Sequence, residues 1–442
     1  MPHTDLQQNI QFRVEPGGTL AGEMRVPGDK SISHRSIMFG ALAEGVTEVT
    51  GFLEGEDSLA TLSAFRAMGV TIEGPDNGRV VIQGVGLHGL QAPRDVLYLG
   101  NSGTSMRLLS GLLAGQRFDV SLTGDASLSG RPMRRVTDPL TQMGALIETT
   151  DAGTAPLLIK GGQVLQSIDY AMPVASAQVK SCLLLAGLYA QGTTCVTEPA
   201  PTRDHTERML TSFGYPIDSS ANSVCLTGGG ALQAKAVEVP SDISSAAFFL
   251  VAASIAPNSE LLLPKVGINP TRDGVITILR QMGANISVEN ERLLGGEPVA
   301  DLRVKSSALH GIKIPVDQVP LAIDEFPVIF VAAACATGQT ELTNAEELRV
   351  KESDRIQVMA DGLQTLGIEA KPTPDGMVIR GGQLSGGQVQ SHGDHRIAMA
   401  FAVAGLRASH QIIIDDCANV NTSFPGFVEL SRKIGLKVAA HT

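Results

Sequence analysis

The sequence predicts an α/β protein of two lobes, each built from three similar units. Three observations carry that expectation. At 442 residues the chain is too long for one ordinary hydrophobic core. A helical stretch, a glycine and an alternating apolar strand recur six times. Upstream of each copy stand an apolar helix, a small turn and another strand.

The downstream part reads LSAFRAMGVTIEG, DPLTQMGALIE, MLTSFGYPID, ITILRQMGANISV, ADGLQTLGIEA and VELSRKIGLKV. Its glycines are Gly69, Gly144, Gly214, Gly283, Gly367 and Gly435. A glycine just past a helix adopts positive φ without a Cβ clash, so each is expected to end its helix. The upstream part reads FGALAEGVTEVTGF, LLSGLLAGQRFDVSLTG, LLLAGLYAQGTTCVTEP, LVAASIAPNSELLLP, VAAACATGQTELTN and AVAGLRASHQIIIDD. Most units add a further strand such as RVVIQG or GMVIRGG. The period, roughly 70 residues, exceeds that of solenoid repeats. The expected lobes are 26–239 and 1–25 with 240–442, the chain crossing near Pro240, where VEVPSDISSAAFF opens the fourth unit. NIQFRVEP, with no partner in the first unit, is expected to pair within the last lobe, making a second crossing and a hinge.

Composition narrows function. Hydrophobic residues are 43% and charged ones 18%, as in a well-packed soluble protein. A formal net charge of −11 argues against a nucleic-acid partner, yet a local cluster of cations still holds small anions against that field. There is no tryptophan, so stacking on bases or sugars is not expected. Cys182, Cys195, Cys225, Cys335 and Cys417 are scattered with no CxxC spacing, which reads as reduced thiols in a cytoplasm. MPHTDLQQNIQF lacks a signal-peptide core and no stretch is long enough to span a membrane, so a cytoplasmic protein without a membrane partner is expected.

The chemistry lies where the apolar helices open. PGDKSISHR, LGNSGTSMR, ASAQVKS, PSDISS, IDEFP and HGDHR each stand before one of them; SGRPMRR, PTRDH and RVKESDR precede second helices. In the first, Ser31 or Ser33 is the expected cap, with Ser31 and Arg35 on one face and Lys30 at the open end. Helix starts offer free N–H groups and a positive dipole end to anions. A capped surface helix with incidental charges explains one such stretch. Six in register, interleaved with Lys30, Arg35, Arg107, Arg131, Arg203, Lys351, Arg355 and Arg396, point to one anion site at an inter-lobe interface. Two phosphorylated carboxylates would suit it, because arginine forks match both groups and a closed cleft overcomes their mutual repulsion. No DxD or HExxH pattern offers a metal, and no cofactor is expected. His34, His205 and His395 read as hydrogen-bonding residues; Asp29, Asp204, Asp242 and Asp394 read as caps or arginine orienters. Asp324 and Glu325 in LAIDEFPVIF and Glu352 in RVKESDR are the acids placed for proton transfer.

PGDKSISHR, GNSGTSMR, SGRPM, SAQVKS, RVKESDR and GDHR resemble, in order and across nearly the whole chain, the motifs of the 5-enolpyruvylshikimate-3-phosphate synthase family. The resemblance implies two lobes of three βαβαββ units with the active site in the cleft between them. It implies transfer of the enolpyruvyl group of phosphoenolpyruvate to the 5-hydroxyl of shikimate 3-phosphate, in the shikimate pathway of aromatic amino acid biosynthesis, without a metal. Carried over position by position, Lys30, Ser31, Arg35, Ser176, Ala177, Gln178, Arg203, Asp324 and Lys351 would hold shikimate 3-phosphate. Lys30, Asn101, Gly103, Thr104, Arg131, Gln178, Arg355 and Arg396 would hold phosphoenolpyruvate. Asp324 matches the base for the 5-hydroxyl, Glu352 the acid for the methylene carbon, and Lys30 completes the catalytic set.

Departures from one branch of that family are Thr422, where that branch has a lysine before FP, and Ala177, where it has a second serine; both fit the other bacterial branch. The resemblance also implies glyphosate in the phosphoenolpyruvate pocket, and Gly103, which is alanine in tolerant members, implies susceptibility. Two rivals remain. A UDP-N-acetylglucosamine enolpyruvyl transferase shares the repeats but generally carries a loop cysteine, and none occurs here before Cys182. A non-catalytic anion-binding relative would be expected to lose Asp324 or Glu352. A monomer is expected, with a complete cleft in each chain.

Overall fold

A computed structural model describes residues 10–220 and 222–442. They divide into two compact units: a first of 28–240 with 293–297, and a second of 10–27, 241–292 and 298–442. The expected crossings after residues 25 and 239 fall after 27 and 240, and the turn 293–297, tip of a hairpin formed by Asn285–Leu294 and Glu297–Lys305, belongs with the first unit. There Glu297 Oε1 accepts from His205 Nδ1 at 2.8 Å, both side chains buried. Residues 92 apart meet here, which no local pattern foretells.

Among the described residues twelve principal helices form six pairs. Those of the first unit are α1 (Lys30–Leu42), α2 (Glu56–Ala67), α3 (Gly103–Ala114), α4 (Arg134–Gln142), α5 (Ala177–Gly187) and α6 (His205–Ser212). Those of the second are α7 (Ile243–Ile255), α8 (Gly274–Gln281), α9 (Phe326–Cys335), α10 (Arg355–Thr365), α11 (His395–Ala404) and α12 (Phe427–Lys433). The odd-numbered helices are apolar nearly all round and form the centre of each unit; every residue of α7 and α11 is buried. Each fully buried Leu or Phe there contributes about 1.5–3 kcal/mol. Small residues let these helices touch: a Cβ added at Gly111 on α3 would lie 2.0 Å from the Cys182 carbonyl oxygen on α5. The even-numbered helices are sided; α4 buries only Val136, Thr137, Pro139 and Leu140. The six glycines that follow them all have positive φ, between +82° at Gly214 and +113° at Gly435.

Six small sheets accompany the six pairs. In the first, Ala43–Thr50 follows α1, and Arg79–Val85 runs antiparallel between it and Thr71–Asp76. The second, third, fourth and fifth sheets repeat that order. In the sixth, Ile412–Asp415 and Val438–His441 have no later strand to separate them. Gln11–Val14 takes that place, with Phe12 opposite Ile414 on one side and Ala440 on the other. The N-terminal strand thus completes the last sheet, as its missing local partner predicted.

Two local expectations are corrected. The cap of α1 is Asp29, whose carboxylate accepts from Ile32 N–H at 2.8 Å, not Ser31 or Ser33. A carboxylate is the better acceptor at a helix N-terminus, and the exchange moves Lys30 and Ser31 into the first turn. The cysteines are not all free: Cys195 and Cys225 form a disulfide, leaving Cys182, Cys335 and Cys417 as thiols. The two stand directly opposite on Thr193–Thr197 and Ser223–Thr227, a neighbourhood created by strand register and not by sequence spacing. No helix among the described residues is long and apolar enough to cross a membrane.

Candidate active site

Five of the six odd-numbered helices start on a side-chain cap. Asp29, Ser102, Ser176, Asp242 and Asp394 accept from backbone N–H groups of the first turn, while Glu325 before α9 does not. The polar stretches are thus helix starts, as their composition predicted. What they hold differs between the units.

In the first unit, Lys30 Nζ lies 3.0 Å from Asp57 Oδ2 of α2. Arg35 is buried, and its guanidinium donates to Thr206 Oγ1 at 2.7 Å, Ser181 Oγ at 2.8 Å and the Ser31 carbonyl at 3.0 Å. Burial pulls its pKa down to about 10, Glu207 and Asp29 oppose the fall, and the like charge of Arg203 adds to it. Arg35 and Arg203 therefore sit within electrostatic reach of each other. His34 is neutral: burial, then Lys30 and Arg35, hold its pKa well below the ordinary value. Its Nδ1 pairs with Thr61 Oγ1 at 2.7 Å, and Thr61 continues to Ser105 and Ser102, tying the starts of α1 and α3 together.

A second group surrounds the start of α3. Arg131 donates to Asn101 Oδ1 at 2.5 Å, and Asn101 donates to Asp125 at 2.7 Å. Gln178, from the first turn of α5, donates to Thr104 Oγ1 at 3.1 Å and accepts from Arg107. Gly103 lies under both arginines; an added Cβ would be 3.2 Å from Arg131 Nη1 and 3.5 Å from Arg107 Nη1. Asn101, Gly103, Thr104, Arg131 and Gln178 are therefore neighbours, although up to 77 positions separate them in sequence. Ser176 caps α5 and Ala177 is its first residue.

The second unit holds the acids. Asp324 precedes α9, and its carboxylate lies 3.5 Å from Lys351 Nζ, 3.6 Å from Arg355 Nη1 and 3.8 Å from Arg396 Nη2. Its backbone carbonyl accepts from Arg396 Nη1 at 2.8 Å. Arg355 is fully buried; it donates to Asp394 Oδ2 at 2.8 Å and Glu352 Oε2 at 2.7 Å. Burial alone would lower its pKa, but Asp394, Glu352 and Asp324 drive it upward, so it stays charged. Burial alone would raise the Asp394 carboxyl, yet Arg355 holds it below the ordinary carboxylate value. Among the described residues Arg355 Nη1 is a buried donor with no hydrogen-bond acceptor, and Asp324 Oδ1 lies 3.6 Å from it. An anionic oxygen fits that geometry.

Sequence reasoning missed the supports. Asp57, Asp125, Ser181 and Thr206 orient the first-unit residues. In the second unit Arg272 donates to Ser244 Oγ at 2.6 Å, and Ser244 donates to Glu325, which lies 3.5 Å from Arg396. The one available signal was the charged turn NPTRDG ahead of α8. Thr422 is buried and its hydroxyl donates to the Asn419 carbonyl at 2.7 Å. Among the described residues no group of three or more His, Cys, Asp or Glu is placed to hold a metal ion.

The family model for EPSP synthase (3-phosphoshikimate 1-carboxyvinyltransferase) matches residues 14–430. The chain belongs to the EPSP synthase family. Similar proteins include the 3-phosphoshikimate 1-carboxyvinyltransferases of Methylococcus capsulatus, 69% identical over 98% of this chain and 99% of that protein, and of Nitrosococcus oceani, 67% identical over 98% and 97%. A solved EPSP synthase from Acinetobacter baumannii superposes with a TM-score of 0.89 at 60% identity, covering 98% of this chain and all of that one. Membership in the EPSP synthase family decides between the two enolpyruvyl-transfer readings of the sequence. It also bears out the mixed α/β repeat fold.

Proposed function

We propose that the protein transfers the enolpyruvyl group of phosphoenolpyruvate to the 5-hydroxyl of shikimate 3-phosphate, releasing phosphate and giving 5-enolpyruvylshikimate 3-phosphate. The observation that carries this reading is the Asp324 carboxylate, set within 3.8 Å of Lys351, Arg355 and Arg396, with Glu352 bonded to the same Arg355. Relatives at up to 69% identity named for the activity support it.

Lys30, Ser31, Arg35, Ser176, Ala177, Gln178, Arg203, Asp324 and Lys351 hold shikimate 3-phosphate. Lys30, Asn101, Gly103, Thr104, Arg131, Gln178, Arg355 and Arg396 hold phosphoenolpyruvate. Glu352 gives a proton to C3 of the enol, so positive character develops at C2. Asp324 takes the proton of the 5-hydroxyl as its oxygen bonds to C2, forming a tetrahedral adduct. Glu352, now a carboxylate, takes a proton back from C3, restoring the double bond as the C2–O bond to phosphate breaks. Fixed cations stabilise the departing phosphate, and holding two anions in contact supplies much of the rate. A cytoplasmic monomer suits this role, and light scattering tests the monomer.

Phosphate release is measured with phosphoenolpyruvate and either shikimate 3-phosphate or UDP-N-acetylglucosamine as acceptor. Release with shikimate 3-phosphate alone is expected. Release only with the sugar nucleotide, or with neither, would defeat the proposal.

A further inference from the structure

A buried charge cluster in the first unit has no part in the roles above. Lys180, on α5, is 2% exposed. Its ammonium lies 2.7 Å from Glu207 Oε1 and 3.2 Å from Glu198 Oε2, and 3.5 Å from the Thr202 carbonyl oxygen. Glu198 in turn accepts from the Thr202 hydroxyl at 2.6 Å and the Thr202 N–H at 3.4 Å. Burial pushes the Glu207 carboxyl above its ordinary value, with Lys180 pulling it back. A buried ion cluster is a poor source of stability, since apolar side chains of similar volume often do as well. What such a cluster does is hold chain segments in one arrangement.

The segments held here are specific. Thr202 directly precedes Arg203, in the loop between Thr193–Thr197 and α6. Glu207, in the first turn of α6, follows Thr206, whose hydroxyl accepts from Arg35 Nε and donates to Ser181 Oγ at 2.7 Å each. Ser181 follows Lys180 and accepts from Arg35 Nη2. Lys180 also lies two residues beyond Gln178 on α5. It is therefore the joint of three pieces: the start of α5, the Arg203 loop, and the anchor of Arg35. Without its charge, Glu198 and Glu207 would compete for Arg203 and Arg35, and the loop would lose the contact beside Arg203.

We propose that Lys180 is a positioning residue for the acceptor substrate, locking the 198–204 loop and α6 so that Arg203 and Arg35 meet the anionic groups of shikimate 3-phosphate at a fixed separation. This rests on the function proposed above. The test uses the full chain with Lys180→Met, which keeps the stem and removes the charge. Lys180→Met/Glu207→Gln, which also removes one orphaned carboxylate, guards against misfolding. Thr202→Val, at a half-buried position, loosens the same lock without exposing a buried charge. Rates are measured with each substrate varied in turn, and shikimate 3-phosphate binding by calorimetry.

Lys180→Met should raise KM and Kd for shikimate 3-phosphate about ten-fold or more, the scale of one charge-assisted contact. Thr202→Val should raise them about three-fold, and KM for phosphoenolpyruvate should move less than about three-fold in either variant. A folded variant with unaltered affinity for shikimate 3-phosphate overturns the proposal, as does an equal rise in both KM values. Failure of the unmutated protein to turn over the two substrates would instead overturn the function beneath it.

Discussion

Replacing Asp324 by Asn tests the centre of the second-unit cluster. The change swaps one oxygen for nitrogen and leaves the backbone carbonyl that holds Arg396 at 2.8 Å. The carboxylate faces three cations at 3.5, 3.6 and 3.8 Å. At an effective dielectric of about 20, one such pair is worth about 4–5 kcal/mol before desolvation is subtracted. With the carboxylate gone, part of that attraction becomes available to a phosphate or carboxylate ligand, so anionic substrates should bind as well or more tightly. The chemical step should suffer, because losing a positioned general base lowers kcat about 10²–10⁴-fold, or about 2.7–5.5 kcal/mol of barrier. Phosphate-release kinetics and calorimetry with shikimate 3-phosphate separate the two effects. The expected signature is a collapsed kcat with an unchanged or lower Kd. A kcat within about ten-fold of the parent would refute the role of Asp324 as base. A Kd raised by the same change would show that the contact of Asp324 with the acceptor outweighs the cationic attraction its loss releases.

Four further outcomes follow from particular contacts. Arg131→Ala should raise KM for phosphoenolpyruvate about 10–100-fold through loss of a charged hydrogen-bonding group, with little change for shikimate 3-phosphate. Gly103→Ala places a methyl 3.2 Å from Arg131 Nη1, so it should weaken phosphoenolpyruvate and raise the glyphosate concentration needed for half inhibition; unchanged inhibition would dissociate Gly103 from that pocket. Asp394 has a folded-state pKa below its ordinary value, so its linked stability is fully present above about pH 4 and drains as pH falls through the folded-state value. Asp394→Asn, which takes the buried one of three carboxylates from Arg355, should cost up to about 3–5 kcal/mol at neutral pH and flatten that acid dependence in denaturant titrations. Finally, protein denatured without reductant should titrate three thiols, and five after reduction; five in both would remove the Cys195–Cys225 bond.

Much of this molecule was determined by short-range physics that a sequence displays. A helix that ends on glycine, or begins on Asp or Ser, does so for reasons contained within a few residues. The six repeats and the helix starts were therefore legible. So was the orphan strand at residues 11–14, because an apolar alternation without a local partner must find one elsewhere. Tertiary structure decided what depends on pairing across distance. Cys225 came opposite Cys195 through strand register, and Glu297 reached His205. Lys180 and Arg272, unremarkable in sequence, became buried joints once carboxylates from other segments closed around them. A buried charge takes its meaning from its partners, and only the folded chain chooses them.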